Sequence, residues 1–274
     1  MATSDVSARS KVNVKVFQDL NTFQKSGVKD QLMQNDFLAF DTEFNMNKDE
    51  IQLALVQIAT FDQNVFLFDV LKCPDIIVEL RKILESKKIK KVIHDCLNDS
   101  KALWTTHAIQ MDNVFDTKLV QQILDSKQTQ TVMKHIKPTG LETLCKKYVI
   151  YINEDLKQRT KEELKQNQAY FLQRNRDGSI PDRMKDYAAQ DVTVLVDLYK
   201  QMERSLGDMQ SLYERLINVS LYACLKGVPC RKRYEKDRGL LNYVASPELA
   251  TLVLVSPTMT RKPYRRGNKA KPRR

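Results

Sequence analysis

Three apolar runs follow one another between residues 36 and 70: "DFLAFDTEF", "IQLALVQIAT" and "VFLFDV". They are short, rich in β-branched and aromatic residues, and joined by the acidic linker "NMNKDE" and the turn "FDQN". Such runs read as strands, and connections this short predict an antiparallel meander. The first run carries two acids, Asp41 and Glu43. Residues i and i+2 of a strand share a face, so both acids project from one side, with Ala39 next along it. An acid in an apolar strand is costly unless its charge is compensated, and two carboxylates held this close repel. A shared proton or a cation relieves the repulsion, and hard oxygen ligands suit Mg²⁺ or Mn²⁺. Alone, the D-x-E pair is a weak signal. A chain of this length contains about one by chance, and a water-exposed strand end accounts for it as well.

The rest of the chain builds around that meander. "VNVKVF" (12–17) alternates like an edge strand, and a helix is predicted from there to about Met33. "IIVELRKILES" has helical period, "KKVIHD" is a short strand, and a helix is expected over Asn98–His107 with Asp95 or Asn98 as N-cap. Helices are then expected within "VFDTKLVQQILDS", "GLETLCKKYV" and "KEELKQNQAYFLQ", and a long one from about Asp182 to Arg204. A meander followed by alternating helices and strands predicts an α/β fold with a mixed sheet flanked by helices. Residues 151–181 are polar and end in the turn-forming "RNRDGSIP". The expected organisation is a flexible N-terminus (1–11), one domain (12–205), a helical extension (206–260) and a basic tail (261–274). Within the extension, "ELATLVLVSP" (248–257) is expected to pack on the domain.

Charge sets the tail apart. The formal net charge is +11, and the last fourteen residues, "RKPYRRGNKAKPRR", hold eight basic residues and no acid, leaving +3 for residues 1–260. A tail of this composition is expected to be disordered, and it suits either nucleic-acid contact, a nuclear address or simple solubility. The five cysteines form no CxxC pair, which fits a reduced intracellular protein, cytoplasmic or nuclear. No secretory signal is visible, and no window approaches the roughly 18 apolar residues of a membrane span. The seven glycines form no G-x-G-x-x-G, and neither a P-loop nor a G-x-S-x-G element is present.

Two further carboxylates complete the candidate set. Asp99, in "VIHDCLNDSKAL", falls just inside the helix after a strand, where the helix dipole alone favours an acid. Tyr187 and Asp191, in "DYAAQDVTVLVDLY", lie four apart on a helix and so share a face. That face continues through Val194, Leu195 and Leu198 and should turn toward the sheet, carrying Asp191 inward. A surface pair at a helix end explains the same spacing.

Taken together, "FDTEF", "HDCLND" and "YAAQD" resemble the motifs of the DEDD exonuclease superfamily in its tyrosine-bearing subclass, of which RNase D and the exonuclease domain of Werner helicase are members. "GLETLCKKYV" looks like the segment before the third motif, and the resemblance spans roughly residues 12–205. Within the group, "VIHDCLNDSKAL" and "YAAQDV" look most like the metazoan exonuclease 3′-5′ domain-containing proteins and the Egalitarian exonuclease-like domain. The stretch "QRNRDGSIPDRM" departs from the Arg-Pro-Leu-like element that family members often carry, and residues 151–181 look lengthened. The resemblance implies a ribonuclease-H-like fold and two Mg²⁺, replaceable by Mn²⁺. Asp41 would bridge both ions, Glu43 and Asp191 would complete one site, and Asp99 would hold the second ion. Tyr187 would orient the attacking water. The expected reaction removes nucleoside 5′-monophosphates from the 3′ end of a nucleic acid, single-stranded RNA before DNA. Thr42, Phe44 and His94, beside the acids, are candidate substrate contacts, although Phe44 reads rather better as a core residue. The alternative from the same resemblance is a catalytically silent RNA-binding scaffold of a small-RNA (piRNA-type) or mRNA-localisation complex. A protein partner or a homodimer fits either.

Overall fold

The structure, a computed structural model, describes residues 12–47 and 50–225. The N-terminal residues 1–11, most of the extension, "ELATLVLVSP" and the basic tail lie outside the described residues. Six strands form one sheet: β1 (Val14–Phe17), β2 (Phe37–Asn47), β3 (Glu50–Ala59), β4 (Val65–Phe68), β5 (Lys90–Ile93) and β6 (Val114–Asp116). Their order is β1-β4-β3-β2-β5-β6. β2–β3 and β3–β4 pair antiparallel, as the short connections require, while β1–β4, β2–β5 and β5–β6 pair parallel. The mixed α/β sheet is thus the one expected, with β1 on its edge.

Nine α-helices are described: α1 (Leu20–Lys25), α2 (Val28–Met33), α3 (Asp75–Leu84), α4 (Leu97–His107), α5 (Thr117–Thr129), α6 (Leu141–Lys147), α7 (Glu154–Gln166), α8 (Asp182–Met202) and α9 (Gln210–Leu225). Four local expectations are corrected. The single helix before β2 is two helices, because Gly27 adopts φ +73° between them, a left-handed conformation that glycine takes without steric cost. The linker "NMNKDE" is largely strand, with β2 and β3 extending to Asn47 and from Glu50. "VFD" is strand β6 rather than the start of a helix. The helix expected over 161–173 begins earlier, at Glu154 behind an Asn153 cap, and ends at Gln166.

α8 organises the core. Met184, Ala188, Val192, Leu195, Leu198 and Met202 recur at helical spacing and are buried, and the helix packs on β2, β3, β4 and β5. Each such aliphatic side chain contributes about 1.5–3 kcal/mol on burial, so the stripe as a whole can carry one costly polar member. That member is Asp191.

Buried polar clamps hold the loops that frame the sheet. The Asp69 side chain is fully buried, and Arg174 grips it through Nε at 2.8 Å and Nη2 at 2.5 Å, with Gln18 adding a third bond at 2.8 Å. Through this clamp the stretch "QRNRDGSIP" is tied to the end of β4. Removing one partner of a buried pair strands the other charge. Arg174→Met is therefore expected to destabilise the fold by about 3–5 kcal/mol, read as a lower midpoint in urea. A loss below about 1 kcal/mol, the scale of a surface pair, would show that water compensates Asp69.

Candidate active site

β2 places Asp41 and Glu43 on one face, as alternation requires. Asp41 stands opposite Gln57 of β3 in the ladder, and Glu43 stands opposite Leu55. Gln57 is fully buried, and its Nε2 donates to Glu43 Oε1 at 3.1 Å, which fixes the carboxylate's orientation. A register shift between Glu43 and Phe44 ends the regular alternation directly after the acids. Phe44 is half-buried against the core.

From the opposite side, α8 delivers Asp191. One carboxylate oxygen from each of Asp41, Glu43 and Asp191 lies within 4.8 Å of the others. Tyr187, one turn earlier on α8, hydrogen-bonds Asp191 and packs its ring 6.0 Å from that of Phe171.

Asp99 reaches the site differently. β5 pairs with β2 only over Phe37–Ala39. Beyond that point Asp99, in the first turn of α4, takes the place of a strand neighbour: its Oδ1 accepts from the Thr42 N–H at 3.1 Å and from Thr42 Oγ1 at 2.5 Å. Thr42 is buried, and its hydroxyl is committed to Asp99. Asp99 therefore stands beside the three-carboxylate group rather than within it, yet close enough for its charge to act on Asp41.

The turn that aims α4 rests on Asp116. Its carboxylate accepts from Asp95 N and Cys96 N, both at 3.0 Å, while also capping α5 through Lys118 N at 2.9 Å and Leu119 N at 3.3 Å. Asp95 adopts φ +63° there and pairs with Lys118 at 2.6 Å. Neither Asp95 nor Asn98 is the cap of α4; the cap position belongs to Cys96, because Asp116 satisfies the turn's N–H groups from across the chain. His94 is half-buried, with Nδ1 2.9 Å from Thr117 Oγ1.

Lys157 was not among the expected residues. It sits on α7, in a stretch so polar that a solvated face is the natural reading, yet its side chain is only 7% exposed. Its ammonium bonds Asp191 Oδ2 at 2.5 Å, pairs with Oδ1, and lies 4.2 Å from the centroid of the Tyr187 ring. No pattern in the sequence marks it, whereas Gln57, missed as well, carries a signal: it is the one polar residue between Leu53 and Ala59 of β3.

Electrostatics reflect the crowding. Burial, then the charges of Asp99 and Asp191, raise Asp41 well above the usual carboxylate range. Burial, then Asp41, do the same to Glu43. Burial raises Asp99 to about 7, and raises Asp191 against the lowering pull of Lys157. Burial, then Asp191, push the Tyr187 phenol well above its ordinary value, so it stays protonated and donates. Three carboxylates converge beside the Lys157 ammonium, with Asp99 adjoining, and the donors are hard oxygens at close spacing. This donor set fits divalent cations of the Mg²⁺ or Mn²⁺ kind.

With fold and site in place, comparison with known proteins fits the same picture. The chain belongs to the 3′-5′ exonuclease family, which matches residues 17–207. Its RNase D-like, DEDD-type character was the expectation from the motifs. An Egalitarian protein homologue from Caenorhabditis elegans is 35% identical over 101 residues, 36% of this chain and 17% of that protein. The piRNA biogenesis protein EXD1 of Mus musculus is 27% identical over 177 residues, 61% of this chain and 29% of that protein. The aligned region thus spans well under half the length of these curated relatives. Among solved structures, Trypanosoma brucei RNase D superposes with a TM-score of 0.67 at 20% identity, over 86% of this chain and 82% of that one. Its complex with RNA U12 gives 0.64 at 21%, over 80% and 72%. At these identities the likeness establishes the shared fold.

The raised carboxyls dictate a pH dependence. A carboxyl whose folded pKa exceeds its unfolded value contributes stability that is present at low pH and lost as pH rises through the folded value. For Asp99 that window runs from 3.8 to about 7. In EDTA the melting temperature is expected to fall across it, and Asp99→Asn should make the fall shallower. An unchanged slope in that variant would exclude Asp99 as a source.

Proposed function

We propose that this chain is a metal-dependent 3′-5′ exonuclease that acts on the 3′ end of single-stranded RNA and releases nucleoside 5′-monophosphates. The observation that carries the reading is the convergence of Asp41, Glu43 and Asp191 within 4.8 Å. Asp99 stands at the open edge of β2, and Tyr187 donates to Asp191.

In this reading Asp41, Glu43 and Asp191 would hold one divalent ion, and Asp99 would help to hold a second. Bound divalent ions supply Lewis acidity, lowering the pKa of water and neutralising charge on the phosphate and the leaving 3′ oxygen. The protein does the positioning. Gln57 holds Glu43 in one orientation. Thr42 holds Asp99 through two bonds, so its second oxygen stays directed by the first. Tyr187 remains protonated; with its one proton given to Asp191, its oxygen is left to accept from the attacking water and so orients it, a role its raised pKa favours over that of a base. The apolar strand before Asp41 supplies the rigidity that orientation needs. Phe44 and His94 border the acids as candidate substrate contacts. The preference for RNA is supported by the likeness to Trypanosoma brucei RNase D in its complex with RNA U12 and to the piRNA biogenesis protein EXD1.

A second reading, an RNA-binding scaffold with an idle site, is favoured by Lys157, whose charge already engages Asp191. It is also favoured by the likeness to the Egalitarian and piRNA biogenesis proteins. A 5′-labelled oligonucleotide separates the two. A ladder shortening from the 3′ end in Mg²⁺ or Mn²⁺ but not in EDTA supports the enzyme, while retention without shortening supports the scaffold. Matched RNA and DNA of one sequence test the preference, with faster RNA shortening expected.

Asp41→Ala should cut the rate at least about 10³-fold, the equivalent of several kcal/mol of transition-state stabilisation, while the protein remains folded. Full Mg²⁺-dependent activity in that variant would sink the assignment. Tyr187→Phe should slow hydrolysis about 10–100-fold, the scale of a misplaced reactant, with metal binding nearly unchanged. A loss of metal affinity matching that of Asp191→Ala would contradict its orienting role.

A further inference from the structure

Lys157 is a lysine where a helix is expected to bury an apolar residue. The buried positions of α7 are Lys157 and Thr160, and most of the helix is polar and exposed. Its ammonium hydrogen-bonds Asp191 Oδ2 and lies within ion-pair distance of the buried Oδ1, which has no hydrogen-bond partner, and its charge also reaches Asp41 and Glu43, where it opposes the rise in their proton affinity. The Tyr187 ring lies 4.2 Å from the same ammonium, adding a cation–π contact. Lys157 thus makes the contacts with Asp191 that a divalent ion would make, and one carboxylate cannot give the same lone pairs to both.

We propose that Lys157 is a built-in competitor for the metal site: a tethered ammonium that must release Asp191 before a divalent ion can take it. The inference rests on the metal-holding reading above and adds a switch to it. Asn153 caps α7 one turn before Lys157, so the backbone is anchored, and only rotations within the buried four-carbon stem are needed to carry the ammonium off Asp191. Metal affinity is then set by the fraction of molecules whose Asp191 is free, since apparent affinity falls in proportion to that fraction. Wherever Lys157 holds Asp191 in nine molecules of ten, binding weakens about tenfold. Exonuclease action would accordingly wait on metal supply, or on a substrate phosphate that draws the ammonium away.

The test measures Mn²⁺ binding by the paramagnetic resonance of the free ion, in the full chain and its Lys157→Met and Lys157→Arg variants. Methionine keeps the stem's bulk and removes the charge; arginine keeps the charge. Lys157→Met is expected to bind Mn²⁺ about tenfold or more tightly than the unaltered protein, and Lys157→Arg within about threefold of it. In EDTA Lys157→Met should melt lower, since the carboxylates lose their counter-charge, and Mn²⁺ should raise its melting temperature by more than it does for the unaltered protein. A purely structural lysine would lower stability without tightening Mn²⁺. Amine acetylation of the unaltered protein, read by mass spectrometry, supplies a second readout that holds even if Lys157→Met fails to fold. Lys157 should react slowly in EDTA and faster with Mn²⁺.

Equal or weaker Mn²⁺ affinity in a folded Lys157→Met overturns the proposal and leaves the metal reading standing. So does acetylation of Lys157 that Mn²⁺ does not accelerate. No Mn²⁺ binding by either protein overturns both.

Discussion

The repulsion among acids that the fold forces together is the constraint on which this protein is built. β2 and α8 approach each other because their apolar residues bury well, and Asp41, Glu43 and Asp191 are carried inward with them. Two unit charges about 4 Å apart interact by about 4 kcal/mol at the effective dielectric of a partly buried site. That is a large fraction of the 5–15 kcal/mol by which domains are typically stable. The site is tolerable only because the sheet and α8 supply a large, continuous apolar core around it, and because cationic charge is close at hand.

The remaining polar interactions each limit the freedom of one acid. Gln57 restrains Glu43, Thr42 restrains Asp99, and Tyr187 with Lys157 restrains Asp191. Asp116 acts one step further out, holding the turn from which α4 departs. Tyr213 of α9 secures β6 in turn, its hydroxyl accepting from Asp116 N at 2.7 Å and donating to Val114 O at 2.8 Å. A chain of such bonds runs from the far edge of the sheet to Asp99, so α9 belongs mechanically to the domain it follows.

Much of this could be read from the residues, and the failures have physical causes. The meander, the edge position of β1 and the inward face of α8 follow from apolar periodicity, which is local. The convergence of Asp41, Glu43 and Asp191 was visible as well, but only by weighing three weak motifs together. What stayed hidden was non-local or lacked a residue-type signature. The cap of α4 depends on a carboxylate about twenty residues away. Gly27 is one of several glycines, and no neighbouring residue marks the positive φ that it shares with Gly178 and Gly207. Lys91 lies in a run of lysines that reads as solvated. Yet it is fully buried, its ammonium held by the carbonyls of Ser86 at 2.5 Å and Ile89 at 2.7 Å, and burial lowers its pKa to about 8. Lys157 is hidden for the same reason: the sequence shows a charge, and only the fold shows that the charge points inward.

The register shift after Glu43 has a consequence for how this hairpin can vary. A strand is a ratchet of period two, so a one-residue insertion normally inverts every side chain beyond it. Here the inner half of β2, from Phe37 to Glu43, is indexed by β5 and by the regular part of β3, while the outer half is indexed separately beyond the bulge. Errors of length introduced at the tip are absorbed before they reach the acids. A change of length at the far end of the hairpin therefore leaves the phase of Asp41 and Glu43 as β5 and the inner part of β3 set it.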